Sequence, residues 1–206
     1  MMTTATENQR TERPLRLLAA AGILLTALAV MVGSPTLEDW RSKPGQRLIT
    51  AAANGNVDAL RTELGNRSGV KKQQDLEDAL RIATMSGSVR IVEELLARGV
   101  DPDARGPSWV TPLMVIHPDD ECEMARRLIA AGADVNAADG HGRTPLLDAV
   151  TGTRPALVKL LLAAGADVNA RDRYGRTVFS EAMRIGDAEV IGLLKKVEIG
   201  PLARAK

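Results

Sequence analysis

Aromatic side chains are nearly absent: Trp40, Trp109, Tyr174 and Phe179 make up the whole 2% among 206 residues. A core without them must be built of Leu, Ile, Val, Ala and Met, which suits close-packed helices better than a β-sandwich. The same scarcity removes the stacking platform that single-stranded nucleic acid needs. There is one cysteine, Cys122, so neither an intrachain disulfide framework nor a four-cysteine zinc site can form. An excess of one charge is lacking too. Against 27 Lys+Arg stand 26 Asp+Glu, a formal net charge of +1, which excludes the broad cationic field of a duplex binder. With only two histidines, His-assisted nucleophilic catalysis has little scope. Hydrolase, zinc-protease, P-loop and dinucleotide fingerprints are all missing. No catalytic, cofactor-binding or metal-binding residue is expected, and no enzymatic activity.

A long apolar run occurs once, from Leu17 to Val32, after Arg10, Arg13 and Arg16 and before Gly33-Ser-Pro35. At 1.5 Å per residue it measures roughly 24 Å, short of the ~30 Å hydrocarbon core unless its flanks help. It also reaches the length of a signal-peptide apolar region, but Ala27-Leu-Ala29 makes a poor cleavage site with Val-Met-Val following. The arginines before it and Glu38 and Asp39 after it orient the N-terminus to the cytoplasm and export the remainder. The expectation is a signal-anchor over 17–34, after a cytoplasmic tail over 1–16 and before a linker over 35–44. A cleaved signal peptide, leaving a secreted or periplasmic chain, is the alternative.

A period of 33 residues organises the rest of the chain. Thr111-Pro-Leu113 recurs as Thr144-Pro-Leu146 and, loosened, as Thr177-Val-Phe179. Ala130-Ala-Gly-Ala-Asp-Val-Asn-Ala137 recurs as Ala163-Ala-Gly-Ala-Asp-Val-Asn-Ala170, and a worn copy reads Ala97-Arg-Gly-Val-Asp-Pro-Asp-Ala104. Leu146, Ala149 and Val150 share one face of a short helix; Leu157, Val158, Leu161 and Leu162 form the apolar face of a second. Thr144-Pro145 supplies a capping hydroxyl and a proline at the first helical position. Gly165 fits a left-handed helix end, and Asp139-Gly-His-Gly142 fits a hairpin tip.

These residues resemble the ankyrin repeat: Asp139, Gly142, Thr144, Pro145, Leu146, Ala149, Val158, Leu161, Leu162, Gly165, Ala166, Asp167, Val168, Asn169 and Ala170. The resemblance covers 45–197 and leaves a tail over 198–206. It implies an all-α solenoid of about five helix-turn-helix units joined by β-hairpin-like loops, here preceded by one N-terminal hydrophobic helix. Units start near residues 45, 75, 105, 138 and 171, and Lys195-Lys196 give the last a polar outer face. The export signal ahead of a small Ala- and Arg-rich array of this kind further implies a bacterial protein, anchored in the inner membrane with its repeats in the periplasm.

Two departures from the pattern carry expectations. The usual His after Thr-Pro-Leu is Met114, Leu147 and Ser180, so its bonds between units should be missing and stability lower than in an idealised array. Trp109 stands at the position of Gly142 and Gly175, where a left-handed backbone would cost it roughly 1–2 kcal/mol. With Pro107 beside it and Gly106 in place of Asp, the third hairpin should be rearranged.

Other clusters read as structure. Cys122 in His117-Pro-Asp-Asp-Glu-Cys-Glu123 falls at an apolar helix position, and the carboxylates before it sit where a second helix begins. A calcium loop from Asp134 fails, with Pro145 at the twelfth place instead of Glu. What remains is a surface. The resemblance implies a concave face of hairpin tips and first-helix positions, and on it fall Arg105, Trp109, His141, Arg143, Arg171, Arg173, Tyr174, Arg176 and Arg184. Arg with Trp and Tyr is the composition of interface hot spots. The expected function is a monomeric, non-enzymatic adaptor binding a protein with an acidic patch, with no cofactor and no nucleic acid. An inhibitor or immunity-type protein masking an exported enzyme or toxin is the alternative.

Overall fold

Residues repeating every 33 positions stack into buried columns. Leu95, Leu128, Leu161 and Leu194 form one column, and Ile91, Met124, Leu157 and Val190 another, all at most 3% exposed. Each such side chain contributes about 1.5–3 kcal/mol when fully buried, so the columns hold the units together as well as each unit within itself. A further column of Ala83, Ile116, Ala149 and Ala182 is thin wherever it lies in a first helix, because alanine lets those helices approach closely.

The computed structural model describes residues 44–65 and 73–203. The expected membrane segment over 17–34 lies outside the described residues; none of the described helices is long and apolar enough to cross a membrane. Among the described residues there are nine α-helices: α1 (Pro44–Ala53), α2 (Val57–Gly65), α3 (Gln73–Met85), α4 (Val89–Ala97), α5 (Glu121–Ala130), α6 (Pro145–Thr151), α7 (Pro155–Ala163), α8 (Val178–Ile185) and α9 (Ala188–Ala203). They form two layers. One runs α1, α3, a 3-10 turn at Pro112–Met114, α6 and α8; the other runs α2, α4, α5, α7 and α9. The hairpin-like loops contain no extended strand among the described residues, only an isolated antiparallel bridge between Arg171 and Thr177.

Local sequence sets the helix ends. Thr144 Oγ1 accepts the Leu147 N–H at 3.3 Å, as its Thr-Pro signature implies. Thr177, where proline is lost, is closed by a capping box with Ser180 instead: Ser180 N–H donates to Thr177 Oγ1 at 3.1 Å, and Thr177 N–H to Ser180 Oγ at 2.9 Å. Gly165 takes φ +90°, the left-handed position expected of it.

The third unit departs most. Its first helix shrinks to the single 3-10 turn Pro112–Met114, where α6 has seven residues. Pro118 explains this. It has no N–H to continue a helix and pushes His117 to an extended conformation, φ −65°, ψ 137°. Thr111 Oγ1, matched to Thr144, is left buried without a hydrogen-bond partner.

The missing histidine bonds between units are replaced by others. Arg154, between α6 and α7, donates to the Ile116 carbonyl at 3.3 Å and sits 3.8 Å from Glu121. His117 N–H donates to the Thr84 carbonyl at 3.3 Å. On the outer helices Arg61 pairs with Glu94 at 2.8 Å and Arg127 with Glu93 at 3.1 Å, one unit to the next. Such exposed pairs are screened by solvent and add little each.

Candidate functional site

Three hairpins project along one edge, and each closes in the same way. Asp172 N–H donates to the Arg176 carbonyl at 3.1 Å, Asp139 N–H to Arg143 at 2.9 Å, and Gly106 N–H to Val110 at 2.9 Å. Neighbouring hairpins bond through their tips: Gly140 N–H to the Ser108 carbonyl at 2.7 Å and Arg173 N–H to the His141 carbonyl at 2.9 Å. The matched position in the first of the three is Pro107. It has no N–H, and the preceding unit has helix α3 instead of a hairpin to receive one.

That hairpin, which belongs to the third unit, is rearranged less than its sequence suggests. Trp109 keeps the left-handed conformation, φ 65°, and its N–H still donates to the Gly106 carbonyl at 3.0 Å. The change falls at Ser108, φ 59° and ψ 22°, where Pro107 before it sets up a type II turn. Gly106 leaves room for the movable end of the Arg81 side chain. A Cβ there would lie 2.6 Å from the Arg81 guanidinium.

In the other two hairpins an aspartate clamps the turn. The N–H groups of His141 and Arg143 donate to Asp139 Oδ1 at 2.7 and 2.9 Å, and those of Tyr174 and Arg176 to Asp172 Oδ1 at 2.9 Å each. Asp172 is buried, and Arg176 Nε donates to its other oxygen at 2.7 Å. Burial pushes the Asp172 carboxyl up, but the Arg176 guanidinium and the two backbone N–H groups outweigh it and hold it below the usual range.

The expected arginine residues divide into two groups. Arg143, Arg176 and Arg184 are neutralised from within by Asp148, Asp172 and Glu181 respectively. Glu181, on α8, is 3% exposed and held by Arg184 through bonds of 2.6 and 3.1 Å, which depress its carboxyl below the usual range despite burial. Asp148 goes the other way: burial raises it in spite of Arg143. Asp148 and Glu181 fall at matched first-helix positions, a spacing visible in the sequence that gave no hint of their partners.

Arg105 and Arg173 make no ion pair among the described residues and instead lie over rings. The Arg105 Cζ is 4.8 Å from the Trp109 ring centroid; Arg173 and Arg176 lie 4.7 and 5.1 Å from that of Tyr174. Trp109 and Tyr174 are 61% and 64% exposed. Arg173 also donates to the Tyr174 hydroxyl. His141, between the two aromatic tips, is half-buried with Nδ1 unpartnered. Arg171 stands apart at the hairpin base, donating to the Gly175 carbonyl at 3.3 Å beside Thr177, Phe179 and Leu194. Among the described residues no cluster of His, Cys, Asp and Glu has the makings of a metal site. The edge thus offers two guanidinium-capped rings.

Two family models match the chain, both of ankyrin repeats: one for three copies over residues 48–139, the other for many copies over 128–182. No curated protein matches it.

Proposed function

The chain belongs to the ankyrin-repeat family, whose repeats are protein–protein interaction modules, and from that premise we propose that the hairpin edge holds a protein partner through Trp109, Tyr174 and the guanidinium groups of Arg105 and Arg173. The observation that carries this is the exposure of Trp109 and Tyr174, at 61% and 64%, in a molecule whose core is aliphatic. Rings not used for packing, flanked by arginines without carboxylate partners, suit a patch rich in Asp and Glu. Arg143, Arg176 and Arg184 act instead as supports, because their charge is already spent on Asp148, Asp172 and Glu181.

The array is proposed to work outside the cytoplasmic membrane, in the periplasm of a bacterium, anchored by residues 17–34. The support is Arg10, Arg13 and Arg16 before the apolar run and Glu38 and Asp39 after it. Digestion of the repeats by protease added to spheroplasts is the expected result; a protected array would reverse the topology.

Binding is tested with Trp109→Gly combined with Tyr174→Ala, by proximity labelling in intact cells and a thermal melt. For Trp109→Gly, relief of left-handed strain (~1–2 kcal/mol) opposes the added chain entropy of glycine (~0.5–1) and the lost cation–π contact (~0.5–1), so stability should stay nearly unchanged. Loss of the labelled partner from a folded variant is expected. Retained labelling would sink the proposal. Arg105→Glu with Arg173→Glu is the matching charge test, and it leaves the buried pairs intact.

A further inference from the structure

One position of the repeat locks each unit to the next. Asp103 accepts the backbone N–H of Asp134, at 3.0 Å from each carboxylate oxygen. One period later Asn136 accepts the N–H of Asp167 at 2.8 Å and donates to the Gly165 carbonyl at 3.3 Å. The third member, Asn169, is exposed, and its side-chain amide has no hydrogen-bond partner among the described residues. The cause is α9. By the repeat period, the loop that would meet Asn169 falls at residues 198–200, yet α9 continues through them to Ala203.

Asn169 instead lines a groove of about 220 Å³ with Val168, Arg171, Thr177, Phe179 and Leu194. Small-molecule and cofactor sites run to ~300–1,000 Å³, so this one suits a side chain or two. Its apolar wall is Val168, Phe179 and Leu194. The Asn169 amide and Arg171, a cation with no ion pair among the described residues, make it polar elsewhere. Phe179 is only half-buried there, whereas its counterpart Leu146 is fully covered one unit earlier.

We propose that this groove receives a turn of a partner protein in which a small apolar residue precedes an aspartate or glutamate. The molecule contains its own template. Asn136 grips the backbone of the Gly165-Ala-Asp167 turn in this way, with Ala166 only 8% exposed; Arg171, whose counterpart there is Ala138, adds the charge that selects a carboxylate. In the open groove the Asn169 amide takes the turn's backbone, Phe179 and Leu194 take the apolar side chain, and Arg171 takes the carboxylate. The surface is separate from the Trp109 and Tyr174 tips and does not depend on them.

The chain has a single phenylalanine, so 4-fluorophenylalanine labelling places one ¹⁹F reporter at the groove itself. The probe is a blocked peptide copying residues 164–169, titrated into the full chain. A saturable shift of the single resonance is expected, weakened at least ~tenfold by Asn169→Ala, by Arg171→Glu, or by lysine in place of the peptide's aspartate. Trp109→Gly should leave the titration unchanged, which separates failure here from failure of the hairpin-edge proposal. A flat titration, or a shift that ignores the lysine exchange, overturns the inference. That peptide control uses the unaltered protein, so it decides the matter even if a variant fails to fold.

Discussion

At the scale of single residues, carboxylates at three different positions of the repeat behave in opposite ways. Asp172 and Glu181 are held below the usual range by their guanidinium partners, so they stabilise the fold above pH ~4, where the unfolded carboxyls are also ionised, and that stability is lost as pH falls further. Asp172→Asn should therefore lower stability to urea at neutral pH and flatten its fall between pH 6 and 3, read as the denaturation midpoint at each pH. Asp103 has the reverse sign: burial, with Asp101 and Asp134 nearby, raises its carboxyl despite the bond from the Asp134 N–H. A raised carboxyl favours the fold most when protonated and loses that advantage as pH rises. Asp103→Asn keeps the acceptor, as Asn136 shows, without a partly desolvated charge. It should raise stability slightly at neutral pH, a gain damped by solvent screening that disappears below pH ~4. The sequence identified the repeat position of each acid; only its neighbours in space fixed the sign.

At the scale of elements, the units differ in how they are joined. The third has lost its first helix to Pro118, and Arg154 ties the loop after α6 back to the Ile116 carbonyl and to Glu121. Glu121 Oε2 and Arg154 Nε are both buried and without a hydrogen bond, so the pair is held by charge alone at 3.8 Å. Arg154→Ala would leave Glu121 with no counter-charge and should cost ~1–3 kcal/mol, measured by equilibrium denaturation. Glu121→Gln in the same background should recover part of that loss. The 33-residue period showed the units but hid this link, because Arg154 matches Glu121 itself in the repeat register and no motif pairs them.

At the scale of the whole molecule, stability resides in columns that run through the second to the fifth unit, in the manner of a one-dimensional array. Leu161→Ala removes the middle of the column Leu95–Leu128–Leu161–Leu194 and should cost ~2–5 kcal/mol, and the weakened contact between units should broaden the unfolding transition. The last unit meets solvent through replacements legible in the sequence. Ser180 is exposed where Leu147 is 4% exposed, and Lys195 and Lys196 are exposed too. The replacement is incomplete, since Met183 is 55% exposed where Val150 is 1%.

The sequence by itself determined the period, the helix pairs, the caps at Thr144 and Gly165, and the exposure of Trp109 and Tyr174. All of these follow from local chemistry repeated at fixed intervals, and stacking merely preserves them. Tertiary structure alone decided which arginines remain available. Arg143 and Arg176 recur one period apart and look equivalent to a free cationic stripe, yet each faces a carboxylate brought to it by folding. Arg105 and Arg173 escape because a ring occupies that place instead. It also decided that Asn169 has no side-chain partner among the described residues, since the helix α9 takes the residues that would otherwise have closed the ladder. Pairing of charges and filling of sockets depend on distances between units, and a one-dimensional pattern does not contain them.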